Sequence, residues 1–184
     1  VFSFKVLGRE KDEILIVACS RTVLKEWQEF FKEMAIEVEV FDIEALAVFR
    51  GIFKKPPSKP VCLIDLGAEN TNIFIFDKEG LRYSRSIRVG GESLTQEIAH
   101  TLGMDREEAE RQKRKKGISD QRTKIFAVLI KSLEPIREEA GALFDYYYKK
   151  TKEKISQVIL TGGSSKLKGI EGYLEANLDL PVKI

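Results

Sequence analysis

The segment VCLIDLGAENTNIFIF, Val61 to Phe76, constrains the fold of this chain more than any other. Its first run is wholly apolar, without the in–out alternation of a half-exposed strand, which suits the middle of a sheet covered on both faces. It then breaks into Asp65-Leu66-Gly67-Ala68-Glu69-Asn70-Thr71-Asn72 before an apolar strand resumes. A core hairpin does not need an acid at position 65 for stability, so the turn asks for a chemical explanation.

The surrounding pattern is α/β. After NTNIFIFD come a turn at Lys78-Glu79-Gly80 and the strand LRYSRSIRV, making a three-stranded meander that Gly90-Gly91 ends. A helical pattern follows in SLTQEIAHTLG, then a charged segment, DREEAERQKRKKG, with Asp105 as a candidate cap. A long helix is expected from Gln121 to about Lys150, with a disturbance at Pro135. QVILTGG reads as another buried strand, KLKGIEGYLEANL as a helix and PVKI as a closing strand. Three strands, helix, long helix, strand, helix and strand is an α/β order.

Before this block the pattern is different. VFSFKVLG and EILIVACS form a hairpin around the polar turn REKD. Ser20 or Thr22 caps a helix in which Val23, Leu24, Trp27, Phe30, Phe31 and Met34 recur at helical spacing. IEVEVFD alternates as a strand, and Asp42 caps a second helix, IEALAVFRGIF. KKPPSKP holds three prolines in seven residues, which neither a helix nor an inner strand accepts. The expected division is therefore a small α+β subdomain over 1–53, a linker over 54–60 and an α/β lobe over 61–184.

Charge excludes some partners. With 31 Lys and Arg against 29 Asp and Glu, the chain as a whole has no nucleic-acid footprint. Cys19 and Cys62 sit in apolar runs without metal-ligand or redox spacing, and read as buried thiols of a reducing compartment. No apolar run approaches the roughly 20 residues of a spanning helix, and the expectation is a soluble, cytoplasmic protein. The chain opens on a strand pattern without a methionine, and so reads as part of a longer protein.

Three glycine-marked turns carry the chemistry. In DLGAENT, Asp65 ends a buried strand, Gly67 permits a tight turn, and Asn70, Thr71 and Asn72 supply small donors beside backbone N–H groups able to cradle phosphate. A carboxylate facing such a loop suits a metal ion better than a phosphate. An ordinary hairpin using Asp and Asn for local hydrogen bonds has the same composition. In ILTGGSSKLKGI, Gly162 and Gly163 leave room for a flat ring against bare backbone, although a plain strand–helix connection also uses glycine. In EEAERQK, Glu110 and Lys113 lie three apart on one helical face; a solvated charged face would look alike. The single histidine, His100, falls mid-helix and suggests no catalysis.

In order and wording, these turns together with GGESLTQEIA resemble the actin-like ATPase superfamily, and within its FtsA-like branch the PilM family of type IV pilus assembly. The resemblance covers nearly the whole chain. It implies a ribonuclease-H-like lobe over 61–184, preceded by the small inserted subdomain of that branch. It implies a phosphate loop made of Asp65, Gly67, Asn70 and Thr71, with Asp65 on the metal side. Glu110 and Lys113 would flank the ribose and adenine of ATP, and Gly162, Gly163 and Ser164 would back the adenosine, with Mg2+ as the accompanying ion.

The family closes over nucleotide with two lobes. No Asp-x-Gly loop of a first lobe precedes Val61 here, so the expectation is a half-site that binds ATP weakly and hydrolyses it little or not at all. The resemblance further implies a cytoplasmic adaptor, held at the inner membrane through the cytoplasmic N-terminal peptide of a PilN-like membrane protein and alongside other pilus assembly proteins. It implies neither nucleic-acid binding nor direct membrane insertion. A polymerising division protein of the FtsA type, or a small-molecule kinase on the same fold, would share the lobe.

Overall fold

A computed structural model describes residues 2–7 and 13–184, with side chains from Ile14 onward. The expected turn REKD lies outside the described residues. β1 (Phe2–Leu7) and β2 (Glu13–Ala18) pair antiparallel, Phe2 opposite Ala18. α1 (Arg21–Glu33) follows, capped by the Ser20 hydroxyl, which accepts from the Thr22 N–H. α1 ends with Ala35 at φ 54° and the Ile36 N–H donating to the Phe31 carbonyl, so the chain reverses without a glycine.

The expected strand over 36–42 does not form. The segment is irregular, Val40 is 75% exposed, and no strand among the described residues lies beside it to accept its backbone bonds. Alternation alone does not make a strand without a neighbour. Asp42 does not cap the second helix either: its carboxylate accepts from the next N–H, that of Ile43, and pairs with Arg50. α2 runs over Glu44–Ile52 with Ile43 at its N-cap. Cys19, expected inside, is exposed at the end of β2, whereas Cys62 is fully buried.

From Val61 the expected order holds, with a further helix formed by the charged segment after Gly103. β3 (Val61–Leu66), β4 (Thr71–Asp77) and β5 (Gly80–Ile87) form the antiparallel meander. α3 (Gly91–Leu102) ends at Gly103 in the left-handed region, and α4 (Arg106–Lys116) is capped by Asp105, whose carboxylate accepts from the Glu108 N–H. α5 (Lys124–Thr151) is one continuous helix through Pro135. Pro135 faces solvent, as does Lys131 four residues earlier, so the carbonyl left without its helical partner is near water. β6 (Val158–Thr161), a 3-10 turn (Gly163–Lys166), α6 (Ile170–Leu178) and β7 (Val182–Lys183) complete the chain.

The sheet order is β5-β4-β3-β6-β7, with β3 and β6 parallel in the centre. Its two faces are read out by alternate residues of β3. Cys62, Ile64 and Leu66 face the large core shared with Ile98, Leu129, Leu133, Ile136 and Leu174 from α3, α5 and α6. Leu63 faces the opposite way, with Phe74, Phe76 and Leu81, and meets Ala45, Leu46, Val48 and Phe49 of α2. The Phe49 ring stacks on Phe76 at 4.2 Å. Contacts of α2 therefore cross the proline-rich linker and cover the second face of the sheet.

Candidate functional site

The central strands β3 and β6 end side by side, with Asp65 opposite Thr161. The loops that follow them meet beyond the sheet. The Thr161 hydroxyl donates to Asp65 Oδ1 at 2.9 Å, and the Ser164 hydroxyl to the Gly67 carbonyl at 3.3 Å. The first turn of α3 joins the same knot: the Gly91 N–H donates to the Gly67 carbonyl and the Glu92 N–H to that of Ala68. Gly162, at φ 83°, leaves no room for a side chain, because a Cβ would stand 2.5 Å from the Leu66 carbonyl oxygen and 2.6 Å from Asp65 Oδ1. That glycine serves the approach of the two loops. Its neighbour Gly163 faces open space, as a flat ligand against bare backbone would require.

Beside this knot an open cleft of about 1060 Å3 runs between α3, α4 and the 163–166 turn. Glu110, Lys113, Gly163 and Ser164, singled out from the sequence, line it together with Ala68 and Thr95. Asp65, Gly67, Asn70, Thr71 and Gly162 do not line it; they form the adjoining loops. Asn70 is exposed, and its carbonyl accepts from the Gly67 N–H. Thr71 is fully buried, and its hydroxyl donates to the Val89 carbonyl at 2.7 Å, so it braces the loop instead of facing a ligand.

Lys113 is 8% exposed, and its ammonium is saturated. It donates to the Gly91 carbonyl at 2.6 Å, Thr95 Oγ1 at 2.7 Å and Glu110 Oε2 at 2.7 Å, three acceptors for three protons. Its charge locks the start of α3 to α4. Glu110 accepts from Thr95 as well, and from Arg114 Nε at its other oxygen. Partial burial pushes the Glu110 carboxyl up, but hydrogen bonds from Lys113, Thr95 and Arg114 prevail and hold it at about 2. A permanently ionised, oriented carboxylate on the cleft wall is suited to accepting hydroxyl hydrogens. Arg114, whose side chain is 79% exposed, can leave it to a competing donor at little cost.

One residue of this region escapes sequence reasoning. Glu44, first residue of α2, reaches the far side of Asp65: the Asn72 amide donates to Glu44 Oε2 at 3.1 Å. The hydrogen bond between the Glu44 and Asp65 carboxyls, with burial and the Asp65 charge, raises the Glu44 carboxyl above its usual range. The apolar residues Ala45, Val48, Phe49 and Ile52, at helical spacing just after Glu44, are the signal that α2 lies on a core surface. They do not say which surface. The described residues hold no group of three or more metal-ligating side chains. Asp65 by itself suits a magnesium-like ion that keeps waters and takes its other oxygens from a phosphate ligand.

Comparison with known proteins gives this arrangement a context. The family described as type IV pilus assembly protein PilM matches residues 3–184. The cell division protein FtsA of Bacillus subtilis is 26% identical over 203 residues, covering 98% of this chain and 46% of FtsA. Among solved structures, the PilM–PilN type IV pilus biogenesis complex superposes with a TM-score of 0.81 at 20% identity, over 100% of this chain and 55% of that one. MreB5 of Spiroplasma citri bound to AMPPNP superposes at 0.74 and 18% identity, over 90% of this chain and 60% of that one. The chain spans about half the length of the relatives it matches. The fold is that of an actin-like ATPase, and its mixed α/β sheet with helices is that of a ribonuclease-H-like lobe. By its match from end to end, the chain belongs to the PilM family of type IV pilus assembly proteins.

Proposed function

We propose that this chain is the nucleotide-holding half of a pilus-assembly adaptor, taking ATP with Mg2+ at the cleft between α3, α4 and the 163–166 turn. The observation that carries the reading is the meeting of three sequence-distant turns, around Asp65, Glu110 and Gly163, at one end of the sheet. A nucleotide fits the donors present. Glu110 accepts from the ribose hydroxyls once Arg114 yields. Gly163 leaves its backbone bare for the base. The exposed loop residues Ala68 to Asn70 adjoin the cleft on the phosphate side, and Asp65 would stand on the magnesium side. Bound Mg2+ would neutralise phosphate charge there. Lys113 acts on the fold, fixing Gly91 and Glu110 in place.

Glu44 and Asn72 stand on the far side of Asp65, where α2 couples this end of the lobe to the residues before it. The MreB5 relative is solved with AMPPNP, which supports nucleotide in this lobe. The complex of a similar PilM with PilN supports a PilN-like cytoplasmic peptide as partner, and through it a place at the inner membrane. No helix among the described residues is long and apolar enough to cross a membrane.

Titration of fluorescent ATP with magnesium against this chain, and against a longer chain of the same protein, tests the nucleotide reading. Weak binding that tightens in the longer chain and is lost in Glu110→Ala is expected; binding unaffected by Glu110→Ala overturns it. Capture by a PilN-like N-terminal peptide, compared with a tubulin homologue's tail, separates the adaptor from a division protein.

A further inference from the structure

The end of the lobe opposite the cleft has a character that whole-chain charge conceals. Val61 pairs with Phe76 and Cys62 with Val158, so the starts of β3 and β6 lie beside the β4–β5 turn. The Ser156 N–H and hydroxyl both donate to the Pro60 carbonyl, at 2.8 and 2.7 Å, which ties the end of the linker to the segment after α5. The Tyr147 hydroxyl donates to Asp77 at 3.0 Å, which seats the last turns of α5 over the β4–β5 turn. α2 starts at Asn72 and lays Phe49 on Phe76, so it delivers the linker to this same end.

What the topology gathers there is lysine. The linker brings Lys54, Lys55 and Lys59, and the end of α5 and its exit bring Lys149, Lys150, Lys152 and Lys154. Lys78 adds another from the β4–β5 turn. All are exposed, and none is in an ion pair among the described residues. The exposed or half-exposed acids of these segments are fewer, Glu79, Asp145 and Glu153, while Asp77 is buried against Tyr147 and Arg82. Tyr146 and Tyr148, 47% and 45% exposed, project among the lysines, with Lys150 over the Tyr146 ring.

We infer that this end of the lobe is an adsorption surface for a bilayer carrying anionic headgroups. Every fully exposed cation gathered there is a lysine, a flexible point charge without the planar fork that reads phosphates and bases in nucleic acids; the one arginine of the turn, Arg82, is half-buried against Asp77. Clusters of this size adsorb to anionic leaflets with an energy that accumulates charge by charge. Exposed tyrosines belong at the headgroup level, ring inward and hydroxyl in water. The surface lies at the other end of the strands from the cleft, so it engages a membrane without closing the nucleotide site. The inference stands on this surface alone and does not rest on nucleotide binding.

The test is sedimentation of the chain with vesicles of phosphatidylcholine mixed with phosphatidylglycerol, and with phosphatidylcholine alone. Binding is expected only to the anionic vesicles, falling as salt rises. Reversal of Lys149, Lys150, Lys152 and Lys154 to glutamate should weaken it by about a hundredfold or more. Reversal of Lys54, Lys55 and Lys59, in a segment without helix or strand, is a second variant that spares the core and should also lose binding. Thermal melts of both variants check that the lobe stays folded. Equal binding to both vesicle types, no binding to either, or unchanged binding by the linker variant overturns the inference. So does tighter binding to duplex DNA than to anionic vesicles at the same salt, which would assign the surface to nucleic acid.

Discussion

α1 and α5 carry the same kind of apolar periodicity and meet opposite fates. Val23, Trp27 and Phe30 of α1 and Met34 just after it are each 43–50% exposed, and the helix has no buried residue. Its rings find one another instead: Trp27 stacks on Phe31 and meets Phe30 edge-on, both at 5.8 Å. In α5, Leu129, Leu133, Ile136, Ala140 and Tyr147 are almost completely buried against the sheet. Periodicity states which face a helix offers; only tertiary contact gives that face its energy. The sheet lobe is thus a core that holds itself together, whereas α1 is an apolar surface held out from it.

Substitutions can break that contrast. The largest effect is expected in β3: Leu63→Ala empties a fully buried position between α2 and the sheet and should cost about 2–5 kcal/mol in a denaturant titration. Loss below about 1 kcal/mol would mean that the α2 face is not a true core. Next, Lys113→Met leaves Glu110, Thr95 and the Gly91 carbonyl short of a donor, and should cost about 1–3 kcal/mol by the same titration. It should weaken ATP binding through displaced Glu110.

A smaller effect is tied to acid. The Glu110 carboxyl is held at about 2 in the folded chain, below its ordinary range, so the ionised form favours folding. That contribution is full above roughly pH 4.5 and is lost as pH falls toward 2. Glu110→Gln should flatten the corresponding fall in melting temperature between those limits; an unchanged acid profile would refute the assignment. The smallest effect belongs to α1. Trp27→Ala should change stability by no more than about 0.5 kcal/mol, read from the same melts. A loss as large as that in β3 would erase the contrast.

The lobe was legible in the sequence because its signals are local and redundant. Unbroken apolar runs gave β3 and β6, Asp105 gave the start of α4, and glycines gave the turns between them. Where one signal stood alone, it misled. The alternation of Ile36, Val38 and Val40 lacks a neighbouring strand, and Cys19 lies on a ribbon with too little cover to bury it. The roles of Thr71 and Lys113 were visible as residue types, but their bonding was not. A hydroxyl that braces Val89 and an ammonium saturated by three acceptors read the same in sequence as free donors. Glu44 reaches Asp65 through the packing of α2, a contact between residues 21 apart in the chain that no spacing rule encodes.

The central pairing of β3 with β6 joins residues 96 apart, Ile64 with Leu160 and Asp65 with Thr161. During synthesis the meander emerges well before β6, and the outer flank of β3 stays unbonded until three helices have followed it. Folding is therefore gated late, by the arrival of four residues, and a nascent chain halted before Val158 would present a sticky ribbon edge to its neighbours.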